Sequence, residues 1–190
     1  MFLSKLLPVK QALKIIEDTL KPTDTEKISL EDAYHRVIAG DVRSLLDSPS
    51  FSRSAMDGYA VKAEDTFSSS ANSPVELTVI DRIGAGSMSH AIVEEGKAVK
   101  IATGAPLPQG ADAVVMDEYV QEQGDELQVE SPLTPGENVS FQGEDVEKGD
   151  IIIKGGKLLE PQDLAIITSG GYSEVTAHRK PRIAVLNTGS

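Results

Sequence analysis

Apolar positions at the start of the chain recur at helical spacing. Val9, Ala12, Leu13, Ile16 and Leu20 fall on one face of a helix predicted from Pro8 to Leu20. Pro8 suits its first turn and Pro22 stops the pattern. A second, shorter helix is predicted to begin at Ser29. There Ser29 would cap, Asp32 would answer it three residues on, and Ala33 and Val37 would continue the apolar side. From about Asp41 to Glu147 the pattern changes to short segments rich in β-branched residues, each closed by Gly, Pro, Asp or Ser. The clearest predicted strands are Val75 to Ile80, Ala98 to Ala102, Ala113 to Met116 and Leu127 to Val129. Ser68 to Ser73 reads as an exposed loop and Glu122 to Asp125 as a hairpin turn.

Beyond this β-rich stretch, Ile151-Ile152-Ile153 is expected to be a buried strand. Glu160 to Ile167 opens a helix that Gly170-Gly171 ends, and Ser173 to Ala177 alternates like an exposed strand. Pro181 to Leu186 is the near-continuous apolar run of a strand buried on both faces, as in parallel sheets. Such a strand needs a crossover and a neighbour, so the chain is expected to be the front part of a longer protein. The fold class that follows is α+β, a β-rich module inserted into a discontinuous mixed α/β domain. The expected divisions are 1–43 and 144–180 for the discontinuous first domain, 44–143 for the insert, and 181–190 for the first strand of a further, truncated α/β domain.

Composition narrows the chemistry. The 190 residues are enough for a sizeable core, and 39% hydrophobic with 25% charged is ordinary for a soluble protein. Thirty acidic against 18 basic residues give a net charge of -12. That balance argues against nucleic acid and against an anionic membrane surface as partners. It leaves room for an anionic small molecule, because a local cation or a nest of N–H groups reverses the field. The absence of cysteine excludes disulfides and thiolate chemistry, and three scattered histidines have no zinc spacing. The first residues lack the features of a signal peptide, so a cytoplasmic protein is expected.

The richest local feature is Ser54-Ala55-Met56-Asp57-Gly58-Tyr59-Ala60, one carboxylate beside a glycine in a compact stretch. Two later segments add polar or acidic side chains on glycine-marked bends: Ala102-Thr103-Gly104-Ala105-Pro106-Leu107-Pro108 and Gly143-Glu144-Asp145. Converging, they would hold a hydrated metal ion together with an anion. Taken singly each has a plainer reading. Asp57-Gly58 is a common turn dipeptide, Thr103-Gly104 can simply end a strand, and Glu144-Asp145 are two carboxylates in an acidic chain. Asp117-Glu118 reads as charge guarding a sheet edge. Gly155-Gly156-Lys157 lacks the spacing of a P-loop, and Gly84-Ala85-Gly86-Ser87 lacks that of a dinucleotide fingerprint.

Together these stretches resemble the amino-terminal half of the molybdopterin molybdenumtransferase, or MoeA, family, to which the carboxy-terminal domain of gephyrin belongs. The matching residues are Phe51 to Val61, Ile101 to Pro108, Gly110 to Met116 with Glu118, Gly136 to Val139 leading to Gly143-Glu144-Asp145, and Val185 to Ser190. The resemblance implies an elongated cytoplasmic homodimer. It also implies conversion of adenylylated molybdopterin and molybdate into molybdenum cofactor with release of AMP, with Mg2+ as cofactor and the molybdopterin adenylyltransferase as a partner. By motif position Asp57, Thr103 and Asp145 become catalytic residues, with Gly104, Glu144 and Ser190 binding substrate and Asp57 the metal ligand. Asp57 and Asp145 would position a cation or water, and Thr103-Gly104 an anion. The chain departs from many members at Ser140-Phe141-Gln142, where they carry arginines. Without the family's third domain the chain alone is expected to be inactive, supplying one wall of the active cleft and dimer contacts. A non-catalytic scaffold or dimerisation module of the same fold is the alternative.

Overall fold

The structure is a computed structural model and describes residues 7–84 and 86–187. In chain order its strands are β1 (Thr25–Ser29), β2 (Val42–Arg43), β3 (Arg53–Ser54), β4 (Gly58–Val61), β5 (Val75–Ile83) and β6 (Lys97–Ile101). There follow β7 (Ala113–Met116), β8 (Val120–Gln123), β9 (Glu126–Val129), β10 (Val139–Ser140), β11 (Ile151–Ile153) and β12 (Glu174–His178). The α-helices are α1 (Val9–Thr19) and α2 (Pro161–Ser169). Two compact units result, one from the chain up to Arg43 and from Ile151 onward, the other continuous from Ser44 to Asp150. Glu144 to Asp150, expected in the first, pack with the second: Asp145 and Val146 donate their N–H groups to Ser48 O, and Ser44 N donates to Asp150 O.

The first unit centres on the antiparallel pair β1–β12, with β2–β11 a second small pair. Ala33, Ile38, Val42, Ile153, Leu159, Ile167 and Val175 form its core. α2 starts as its sequence predicts, with Pro161 in its first turn and a capping box between Glu160 and Asp163. Asp163 is buried and also accepts from Lys157 Nζ at 2.5 Å. The expected helix at Ser29 is instead the end of β1 and a single 3-10 turn, Leu30–Asp32. His35, with φ at 57°, takes the left-handed conformation and stops any continuation. Arg36, itself buried, ties this segment to β1 and β12 by donating to Glu26 at 2.5 Å and to His178 O at 2.8 Å.

One further expectation is corrected here. Of Ile151–Ile153 only Ile153 is buried, because β11 meets only the two residues of β2. Pro181 to Asn187 pair with no strand among the described residues, and Ile183, Val185 and Leu186 are exposed, an apolar run of the kind that a neighbouring strand would cover. The α1 helix matches its predicted span, but none of its residues is buried.

The second unit holds a mixed six-stranded sheet in the order β7-β4-β6-β5-β9-β8, parallel only between β5 and β6. One face packs Tyr59, Val61, Leu77, Val79, Ala98, Val115, Leu127 and Val129, with Val120 against them. The other packs Ala60, Ile83, Val93, Val99, Ile101 and Val114. Strand alternation puts residues two apart on one face, yet Val79 and Ile83 belong to opposite faces. A bulge between Val79 and Asp81 inserts the extra residue that reverses the parity of β5. As a result Arg82, rather than Asp81, lies opposite Lys100. The sheet is curled, because Glu122 on the edge strand β8 reaches Tyr59 on β4, four positions away in the sheet order.

Candidate active site at the ends of β4 and β6

The Ser54–Ala60 stretch is not a loop. Its second half is β4, four consecutive buried residues between β6 and β7. Gly58 is required there by space. A Cβ at this position would lie 1.9 Å from Val115 O on the neighbouring strand. The glycine therefore lets β7 close on β4 immediately after Asp57, which leaves the carboxylate at the strand's entry and exposed.

Thr103 follows β6 and meets Asp57 from the adjacent strand end. Both its donors go to one carboxylate oxygen: Thr103 N to Asp57 Oδ1 at 2.7 Å and Thr103 Oγ1 to the same atom at 2.6 Å. These two bonds, the hydroxyl's first, hold the Asp57 carboxyl below the usual carboxylate range, so it is ionised near neutrality. Oδ2 makes no hydrogen bond among the described residues and is the oxygen left for a ligand. The Ala102–Ala105 turn is fixed by Ala105 N on Ala102 O at 3.0 Å, with Gly104 at φ 80° supplying the left-handed position. Gly104 N donates to Ser54 O at 2.8 Å. An anion nest at Thr103–Gly104 is therefore not formed, because both N–H groups already have partners within the protein.

The third segment joins the first through backbone, with Ala55 N on Asn138 O at 2.9 Å and β10 paired to β3. Its acidic side chains share no hydrogen bond with Asp57 or Thr103 among the described residues. Glu144 turns back on its own loop, accepting from Ser140 Oγ and from Phe141 N at 2.8 Å, and these bonds lower its pKa. Asp145 is exposed and its N–H is anchored on Ser48 O at 3.0 Å. Ser190 lies outside the described residues. The structure thus joins Asp57 directly to Thr103, with Gly104 beside them, and bonds neither Glu144 nor Asp145 to that pair.

Asp57 and Ala102 line a cleft of about 340 Å³ with Arg82, Ile83, Gly84, Lys100, Ile101 and Asp117. Behind it is a polar network that the sequence did not mark. Glu122 accepts from Tyr59 Oη at 2.6 Å, from Lys100 Nζ at 3.1 Å and from Arg82. Lys100 also donates to Tyr59 Oη at 3.0 Å. The Tyr59 bond, with those of the two cations, draws the Glu122 pKa down to about 2 despite partial burial. Tyr59 alone was visible as part of a motif; Arg82, Lys100 and Glu122 carried no spacing signal.

The magnesium expected at Asp57 finds no complete site here. Among the described residues no group of three or more His, Cys, Asp or Glu side chains could hold a metal ion. Asp57 offers one carboxylate, with one oxygen already engaged by Thr103. Magnesium keeps several waters and takes one or two carboxylates together with substrate phosphates, so Asp57 would supply a single ligand of such a site and not a closed cage.

Fold and sequence now define a class. A family profile described as the MoeA N-terminal region (domain I and II) matches residues 7–171. The structure is similar to the crystal structure of the molybdopterin biosynthesis MoeA protein from Pyrococcus horikoshii OT3, with TM-score 0.86 and 44% identity. That similarity covers 93% of this chain and 47% of the other. The molybdopterin molybdenumtransferase of Staphylococcus aureus is 37% identical over 184 residues, 97% of this chain and 44% of the relative. That of Staphylococcus epidermidis is 36% identical over the same length. The chain belongs to the MoeA family and corresponds to its N-terminal region. It spans less than half the length of the curated relatives it matches.

Proposed function

We propose that in a protein of its relatives' length this chain supplies one wall of the cleft where molybdate is inserted into adenylylated molybdopterin, with release of AMP. The observation that carries this is the Asp57–Thr103 pair, an exposed, ionised carboxylate oriented by two donors at the rim of a cleft. Thr103 would act as a positioning residue. With Oδ1 fixed, Asp57 Oδ2 is directed to the cleft, where it accepts a hydrogen bond or proton from water or substrate. Asp145 and Glu144, exposed on the neighbouring loop, would meet substrate only through parts of the longer protein. No step is assigned to a metal ion. The chain alone should release no AMP from adenylylated molybdopterin and molybdate, whereas a full-length relative-sized protein should. Turnover by the isolated chain would overturn the one-wall reading.

The same reading takes the protein as a cytoplasmic homodimer, with the molybdopterin adenylyltransferase as the partner that hands over substrate. One observation supports an assembly role whether or not the cleft is catalytic. α1 leaves Val9, Leu13 and Ile16 exposed at helical spacing, an apolar stripe of the kind that packs against another protein surface. Sedimentation of the chain beside Leu13→Glu tests it: loss of a dimer on substitution supports the role, and a monomer in both discards it.

A further inference from the structure

We propose that Arg82 and Lys100 form an oxyanion-binding site at one end of the Asp57 cleft, suited to a tetrahedral, doubly charged group of the phosphate class. The proposal deepens the functional reading and rests on its view of the cleft as a substrate site. Four features of the fold carry it. The bulge in β5 brings Arg82 opposite Lys100 on adjacent strands, so two cations from different strands face one cleft. Both remain open to solvent, with side chains 45% and 39% exposed.

Their geometry is held from behind by one carboxylate. Glu122, its side chain 23% exposed, bonds both cations and the Tyr59 hydroxyl. Arg82 is further fixed by donating to Gly124 O at 3.0 Å. Glu122 and, 3.6 Å from Arg82, Asp125 set two negative charges against these two positive ones, so an anion would be held by directed N–H donors and not by a net positive field.

Donors also remain. The Lys100 ammonium has three N–H groups and serves two acceptors, Tyr59 Oη and Glu122. The Arg82 guanidinium has five and bonds Glu122 and Gly124 O, with Asp125 at 3.6 Å. Finally, Asp57 and Asp117 line the rest of the cleft. Their carboxylates repel an anion and confine it to the Arg82–Lys100 end, while accepting hydrogen bonds from the remainder of a ligand. The neighbouring glycine turn, with its N–H groups already used, does not compete for the anion.

The shared chemistry admits two sources, a phosphate group and molybdate itself. The test is a titration of this chain with inorganic phosphate and, separately, with molybdate, following the side-chain NMR signals of arginine and lysine. Saturable shifts of Arg82 and Lys100 with either anion, weakened by salt, support the site, and the tighter of the two identifies the source. Lys100→Gln and Arg82→Gln should each weaken binding by about fivefold or more. Glu122→Gln should strengthen it by about fivefold, because the competing carboxylate is removed while Tyr59 and both cations stay. Opposite signs for the two kinds of variant distinguish a binding site from a merely structural network. Backbone spectra of each variant establish that it stays folded, and the wild-type titration stands even if Glu122→Gln does not.

Absence of saturable shifts with both anions overturns the proposal. So do shifts that Lys100→Gln and Arg82→Gln leave unchanged. Because binding is read without turnover, loss of the site is separable from loss of the proposed activity. Failed titration alongside normal AMP release by the full-length protein removes this site alone.

Discussion

Two polar clusters share the strands β4 and β6, and they differ in how they are made. The Asp57–Thr103 pair lies at the strand ends, is exposed, and joins two residues that each stand in a glycine-marked motif. The Tyr59–Lys100–Glu122–Arg82 network lies one step further in and draws its members from β4, β6, β8 and β5. In the first cluster, a single carboxylate oxygen is oriented by a neighbour's hydroxyl and amide. In the second, one carboxylate serves three donors and ties the ends of a curled sheet together. The first is built to meet a ligand with little effect on folding. The second couples cleft and fold, so disturbing it should be felt in both.

The backbone beneath the two clusters gives the largest expected effect. Gly58→Ala places a methyl group against the Val115 carbonyl, in a sheet that cannot yield without opening β4 from β7. Destabilisation of about 3 kcal/mol or more is expected, measured by denaturant unfolding, with loss of the Asp57–Thr103 geometry as a consequence. A folded Gly58→Ala protein of unchanged midpoint would show that the close approach of the strands is not a constraint.

A smaller effect separates the clusters by pH. Glu122 has a folded pKa of about 2, below its ordinary value of 4.5. Between those values the unfolded state binds more protons. The stability contributed by the network is therefore complete above about pH 4.5 and is lost as pH falls toward 2. One such group contributes a slope of at most about 1.4 kcal/mol per pH unit. Glu122→Gln should flatten the acid limb of stability in that window, while Asp57→Asn should leave most of it. Equal flattening by both would erase the distinction drawn here.

The same contrast explains what was legible in the sequence. Asp57, Gly58, Thr103 and Gly104 could be picked out because turn chemistry and close strand approach demand particular residues at fixed local positions. α1 and α2 were visible because their apolar spacing, proline starts and glycine stop are local too. β4 was not among the predicted strands because a strand buried on both faces shows no alternation, and its Gly and Ala are poor strand formers. β1 was missed for the opposite reason: Thr25–Ser29 carries a single large apolar residue, Ile28.

Arg82 could not be placed at all. Its side is set by the bulge after Val79, and a bulge leaves no mark in a run of β-branched residues. Glu122 belonged to a hairpin that was correctly located, yet its partners come from strands 40 and 63 residues away in sequence. Glu144 and Asp145 stand together in the motif, but Glu144 spends its oxygens on Ser140 and Phe141 of its own loop, and no hydrogen bond among the described residues links either of them to Asp57.

The most direct measurement is AMP release from adenylylated molybdopterin and molybdate by the full-length protein, comparing wild type with Asp57→Asn and Thr103→Val. The account predicts that both variants unfold at the wild-type midpoint. Asp57→Asn should abolish turnover, and Thr103→Val should lower it while raising the pH at which activity appears, because Asp57 loses its hydroxyl donor. Wild-type turnover in Asp57→Asn would contradict the account and return Asp57 to an ordinary residue at the entry of a strand.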